Sequence, residues 1–239
     1  MATYLQRSAT PWHALLFVLP MMLIYEIGTG GFDVPVTTTS VRVLATDDLA
    51  QAFGFFGATG RLMPPAAVIV LLLAMHLARK DDWRPGGATL LGMAGESAAL
   101  ALPLVVLGLV MANVMLVENV MLSGVVHGDD PDHTRALVLL SFGAGVYEEL
   151  VFRLIAVPVL IMLLGDVLGL KPLAALVLAV TVSGLAFSLH HYRGDEAFAW
   201  SSFAFRALAG GYFGVLLHLR GFGVAAGTHA AYDLIVVLA

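Results

Sequence analysis

Cysteine is missing altogether from this 239-residue chain. Disulfides, thiolate metal ligands and a cysteine nucleophile are therefore excluded. Charge is scarce as well. Only 12% of the residues are Asp, Glu, Lys or Arg, about half the roughly 25% of a soluble domain. No basic tract interrupts the net charge of −5, which argues against nucleic acid as a partner. Internal repeats and low-complexity linkers are absent too, so the simplest organisation is a single integral membrane domain over 1–239.

What the chain has instead is apolar length. Hydrophobic residues make up 59% of it and its mean hydropathy is +0.91. Several stretches reach the roughly 20 residues that cross a hydrocarbon core at 1.5 Å per residue. Long uninterrupted Leu, Ala and Val runs favour helices over barrel strands, which alternate every second residue. The expected fold is all-α, a polytopic transmembrane helix bundle. About seven spans are predicted, at 12–28, 64–79, 88–113, 136–164, 172–190, 198–218 and 222–238, with six to eight compatible. The first reads as a retained span because no small-residue cleavage site follows it. Pro20, Pro103 and Pro158 fall inside spans and are expected to kink them. Residues 37–61 are too polar to span. There Asp47 and Asp48, followed by Leu49, Phe53 and Phe56, predict a capped amphipathic helix at the interface after the first span.

Against that background the ionisable residues inside spans stand out. Each costs about 2.5–3.5 kcal/mol at a helix centre on insertion scales, so each is a functional hypothesis. Glu26, near the end of its span, is expected to snorkel to the interface. Glu96 and Arg206 stand alone in sequence, and either an inter-helix contact or a site role suits them. "VYEELVFR" (146–153) is different. Glu149 and Arg153 lie at i and i+4 with the acid on the N-terminal side, the favourable order for a pair on one face. Glu148 is turned about 100° away on a 3.6-residue helix. One carboxylate is thus committed to the arginine and Glu148 is left available. "FSLHH" (187–191) puts Phe187 and His191 one turn apart, and "HAAYD" (229–233) does the same for His229 and Asp233. The acidic "HGDDPDH" (127–133) reads as a solvated loop.

The ordered set Glu148-Glu149-x-x-x-Arg153, Phe187-x-x-x-His191 and His229-x-x-x-Asp233 resembles the motifs EExxxR, FxxxH and HxxxN/D. These belong to the CAAX protease and bacteriocin-processing (CPBP, or Abi) family of intramembrane glutamic endopeptidases. The resemblance covers 136–239, the motif-bearing core. The last motif ends in Asp233 where CAAX-processing members carry Asn. The resemblance implies a metal-free endopeptidase acting on a membrane-associated protein or peptide at the cell membrane. It implies Glu148 as general base, His191 as its partner, and His229 with Asp233 at the oxyanion. Glu149 and Arg153 would complete the catalytic set, with Phe187 in support. A carboxylate base and preorganised donors suit such a water-poor pocket. Two rival readings stay open. Two His and one Glu would also suit zinc, although the helical His-Glu-x-x-His pattern is absent. A transporter or scaffold could use the same polar spans for proton relay.

Overall fold

A computed structural model of the chain describes residues 3–31, 43–114, 131–193 and 196–239. Of the "HGDDPDH" loop, His127, Asp129 and Asp130 lie outside these. A short helix α1 (Tyr4–Ser8) precedes α2 (Pro11–Gly31). Then come α3 (Leu44–Phe55), α4 (Met63–Arg79) and α5 (Gly87–Val114). The helix α6 (Pro131–Glu149) continues through a π turn (Leu150–Ile155) into α7 (Ala156–Met162) and a second π turn (Leu163–Val167). The bundle closes with α8 (Pro172–His190), α9 (Trp200–Arg220) and α10 (Phe222–Leu238). No strand occurs among the described residues. Among the described residues five stretches are long and apolar enough to cross a membrane: Pro11–Gly30, Gly87–Ala112, Asp132–Val167, Pro172–Arg193 and Trp200–Arg220. Met63–Arg79 and Phe222–Leu238 are apolar and shorter. Each of the seven predicted spans coincides with one of these segments. The chain is a helical integral membrane protein.

The proline effects differ by site. Pro20 and Pro103 sit within the continuous helices α2 and α5. At Pro158, the missing N–H and the ring's clash with the carbonyl four residues back coincide with the π turn just before it. There the Ala156 N–H reaches back to the Val151 carbonyl. Such one-turn widenings recur at functional sites.

Small residues set the close crossings. A Cβ on Gly145 would lie 2.7 Å from the Ala226 carbonyl oxygen of α10, and one on Gly184 would lie 2.9 Å from the Ala207 carbonyl oxygen of α9. Nothing lies within 4 Å of a Cβ built on Gly211, whose backbone nitrogen nevertheless faces Gly184, so a side chain there would meet open space. Gly145→Ala is expected to cost about 1–3 kcal/mol of stability, as overpacked sites do, while Gly211→Ala leaves it unchanged. Thermal unfolding of the two variants in detergent measures the contrast.

Two expectations need correction. Glu26 does not extend freely to the interface. It accepts a 2.5 Å hydrogen bond from Tyr147 Oη and lies 3.8 Å from Arg61 Nε, because α2 packs on α6 and brings the tyrosine to it. The amphipathic helix also begins earlier than its acidic pair suggests. Val43 occupies the N-cap without a side-chain hydrogen bond, and Asp47 and Asp48 lie inside α3. Leu49 packs on the core, whereas Phe55 and Phe56 stand 90% and 87% exposed. Such a rim suits acyl chains at a bilayer surface. Glu96 is an inter-helix contact. It accepts from Arg220 Nε at 2.5 Å and Nη2 at 2.8 Å, and from Tyr4 Oη at 2.5 Å, joining α5 to α9 and α1.

Candidate active site

The site begins at the π turn. Glu149 Oε1 lies 3.2 Å from Arg153 Nη1, and both side chains are wholly removed from solvent. The Arg153 guanidinium sits 4.1 Å over the centre of the Phe187 ring and 5.4 Å from that of Phe213. A desolvated cation over an aromatic face gains about 2 kcal/mol, a real compensation for a guanidinium with no hydrogen-bond partner among the described residues. The glycines at the crossing of α8 and α9 make the space. A Cβ on Gly210 would lie 2.8 Å from Gly184 Cα and 3.1 Å from Arg153 Nη2. On the other side of the π turn, Ser183 Oγ of α8 donates to the Phe152 carbonyl. The widened turn of the first motif is thereby tied to the helix that carries the second.

From α10, His229 Nδ1 bonds Glu149 Oε1 at 2.8 Å. The ring then turns Nε2 toward Glu148 Oε2, 3.8 Å away, and Asp233 Oδ2, 3.5 Å away. Phe213 stacks on the same ring, with centroids 4.7 Å apart and planes 16° from parallel. His191 is oriented by the backbone. Its Nδ1 lies 2.9 Å from the Phe187 carbonyl oxygen. A carbonyl only accepts, so Nδ1 carries the proton and Nε2 faces Glu148 Oε2 at 4.0 Å. Phe187 packs edge-on against both histidines, 4.8 Å and 5.8 Å from their ring centroids.

All three motifs therefore converge on Glu148, whose Oε2 is buried and has no hydrogen-bond partner among the described residues. It opens on a cavity of about 260 Å³ shared with His191, His229, Asp233 and Arg206. At roughly 30 Å³ per water, that space holds several. The roles of the two first-motif carboxylates are distinct in the geometry. Glu149 binds both Arg153 and His229, and Glu148 binds neither closely.

Some participants belong to none of the three motifs. Arg206, one of the two isolated charges, lines the cavity and is held by Glu196 Oε1 at 2.8 Å. Phe213 belongs to no motif, and a phenylalanine in an apolar span is indistinguishable from packing. The link from Glu149 to His229 joins residues 80 positions apart, and no local spacing announces it. Among the described residues, no group of three or more His, Cys, Asp or Glu is arranged to hold a metal ion.

Acids and histidines from three helices thus meet at one partly open cavity of a helical membrane bundle. In the comparison with protein families, residues 131–235 match the family model described as Rce1-like, type II CAAX prenyl endopeptidase. Over that segment the chain is similar to the CAAX prenyl endopeptidases of the CPBP family, a family of peptide hydrolases. No curated protein and no solved structure matches it significantly.

Proposed function

We propose that this protein is an intramembrane endopeptidase of the cell membrane. It hydrolyses a peptide bond of a membrane-associated protein or peptide with water activated by Glu148 and His191, without a metal. The observation that carries this reading is the unpartnered Glu148 Oε2, 4.0 Å from His191 Nε2 and 3.8 Å from His229 Nε2 across a cavity with room for water. A water with legs of about 2.8 Å spans the gap from Glu148 Oε2 to either histidine nitrogen at an angle of about 90°.

In the forward step the water oxygen attacks the peptide carbonyl carbon while its proton passes to Glu148. The carbonyl π electrons move onto oxygen, and His229, carrying a proton on Nε2, donates to the oxyanion. Its other nitrogen is already held by Glu149, so the ring is oriented before substrate arrives, which is what makes such a donor effective. His191 Nε2 is an acceptor that steadies the water beside Glu148. Collapse of the tetrahedral species re-forms the C=O bond, breaks the C–N bond and returns the proton from Glu148 to the leaving amine. Asp233 supports His229 from one turn further along α10. Arg153 and Phe187 hold Glu149 in place.

Comparative proteomics of membranes carrying wild-type protein or Glu148→Ala tests the reading. Uncut precursors are expected to accumulate in the variant, and identical proteomes would count against hydrolysis. The same comparison separates an enzyme from a transporter or scaffold, neither of which leaves cleavage products. The zinc-dependent alternative is tested on purified protein. Activity is expected to survive exhaustive EDTA and 1,10-phenanthroline. Loss of activity that added zinc restores would favour the metal mechanism instead.

A further inference from the structure

His191 sits at a helix end that α9 holds on one side, where Ser188 Oγ donates to the Phe203 carbonyl at 2.8 Å and Tyr192 Oη to the Ala199 carbonyl at 3.0 Å. The helix α8 stops at His190, and His191 begins a single 3₁₀ turn ending at Arg193. Helix ends are where local opening is easiest. The ring of His191 is held by one backbone carbonyl and the edge of Phe187, and its side chain stays 25% exposed. Both contacts belong to α8 itself. They set how the ring points from its own helix, not where that helix end sits relative to Glu148.

That end is gripped from outside the segment that matches the family. Asp48 of α3 lies 2.7 Å from His190 Nε2 through Oδ2. It also accepts from Arg193 Nη1 at 2.8 Å on Oδ1 and 2.7 Å on Oδ2. One carboxylate thus holds the residue before His191 and the residue two after it. Burial pushes the Asp48 carboxyl up, but the hydrogen bonds from His190 and Arg193 outweigh it and hold the group below its usual range. The contact is therefore ionic at neutral pH and weakens only as pH falls through that lowered value. The buried His190 ring also packs edge-on against Phe152 of the π turn, 5.2 Å between centroids.

The start of α3 is tied to the opposite side of the site. The Val43 N–H donates to Tyr25 Oη at 3.1 Å, and the Tyr25 ring packs edge-on at 5.6 Å against Tyr147, the neighbour of Glu148. Within about five residues, then, α3 contacts both the helix of the proposed base and the helix end of its histidine partner. We propose that Asp48 is a positioning residue for His191, and that α3 is a brace setting the separation between His191 and Glu148. This assignment rests on the hydrolase reading for its consequence in turnover, but not for its geometry.

The test therefore has two arms on full-length protein in detergent. The first needs no substrate: the rate at which diethylpyrocarbonate modifies His191, read by mass spectrometry. Asp48→Asn is expected to raise that rate severalfold, because the released helix end admits the reagent, while exposed His218 reacts unchanged. Asp48→Glu keeps the charge and is expected to restore most of the protection. The second arm follows turnover of the precursor that accumulates with Glu148→Ala. Misplacing a reacting group by about 1 Å can cost about a hundredfold. Asp48→Asn is expected to lower kcat about ten- to a hundredfold with KM nearly unchanged, and Asp48→Glu to recover much of the loss. Unchanged labelling of His191 in Asp48→Asn overturns the proposal, whatever happens to turnover. A kcat loss that merely tracks lowered thermal stability, with no rescue by Asp48→Glu, overturns it too. If wild type cleaves nothing while Asp48→Asn still exposes His191, the brace stands and the hydrolase reading falls.

Discussion

Glu148→Gln is expected to reduce hydrolysis by about 10² to 10⁴, the usual contribution of a positioned general base, while leaving the protein folded. The change is nearly isosteric and removes only the capacity to take a proton. Stability is spared for a reason visible in the structure: Oε2 of Glu148 makes no hydrogen bond among the described residues, so none is lost. The ion pair that holds this region together uses the other carboxylate, Glu149. Turnover measured beside thermal unfolding decides the matter. More than a few per cent of wild-type turnover would remove Glu148 from the role of base. The companion variant Glu149→Gln separates the two acids. It weakens contacts to both Arg153 and His229, so it should lower stability and activity together.

The second large effect is expected at Arg153. Arg153→Ala strips the wholly buried Glu149 of its cation and leaves it facing only the imidazole of His229. Breaking a buried pair from one side typically costs about 3–5 kcal/mol. The loss is compounded by the vacated space between Phe187 and Phe213, over which the guanidinium now lies. With Glu149 unneutralised, the hydrogen bond that orients His229 is disturbed as well, so activity should fall with stability. Arg153→Lys is not expected to rescue, because an ammonium lacks the flat guanidinium face that stacks on the ring. A fall in the unfolding temperature in detergent is the readout. A variant that is inactive yet as stable as wild type would instead assign Arg153 a direct part in the chemistry.

Much of this site is legible in the amino-acid sequence. Helical spacing alone pairs Glu149 with Arg153 and places His229 and Asp233 on one face, because 3.6 residues per turn makes i and i+4 neighbours wherever a helix forms. The cost of charge in a bilayer marks Glu148, His191 and Asp233 as residues needing a purpose. Apolar length places seven helical segments, five of them long enough among the described residues to cross a membrane. These are local properties, decided within a few turns of chain.

The rest depends on which faces meet, and spans such as α8 do not advertise that. Lipid and protein interior are both apolar, so a helix that is apolar all round carries no periodic signal for its inward side. The correction at Glu26 has this origin: nothing in its own segment reveals Tyr147, 121 residues away. Nor could spacing show that Glu149 holds His229, that Arg153 lies on Phe187, or that Asp48 of a short amphipathic helix grips the end of α8. The first two of those contacts follow from the close crossings at Gly145 and at Gly184 with Gly210, where the absence of a side chain lets backbones approach. A glycine's sequence does not say whether its missing side chain makes that room, as Gly211, whose Cβ direction is open, shows. The chain alone determined the helices, the chemistry each could carry and which carboxylate the arginine claims; only packing decided that the free one meets two histidines.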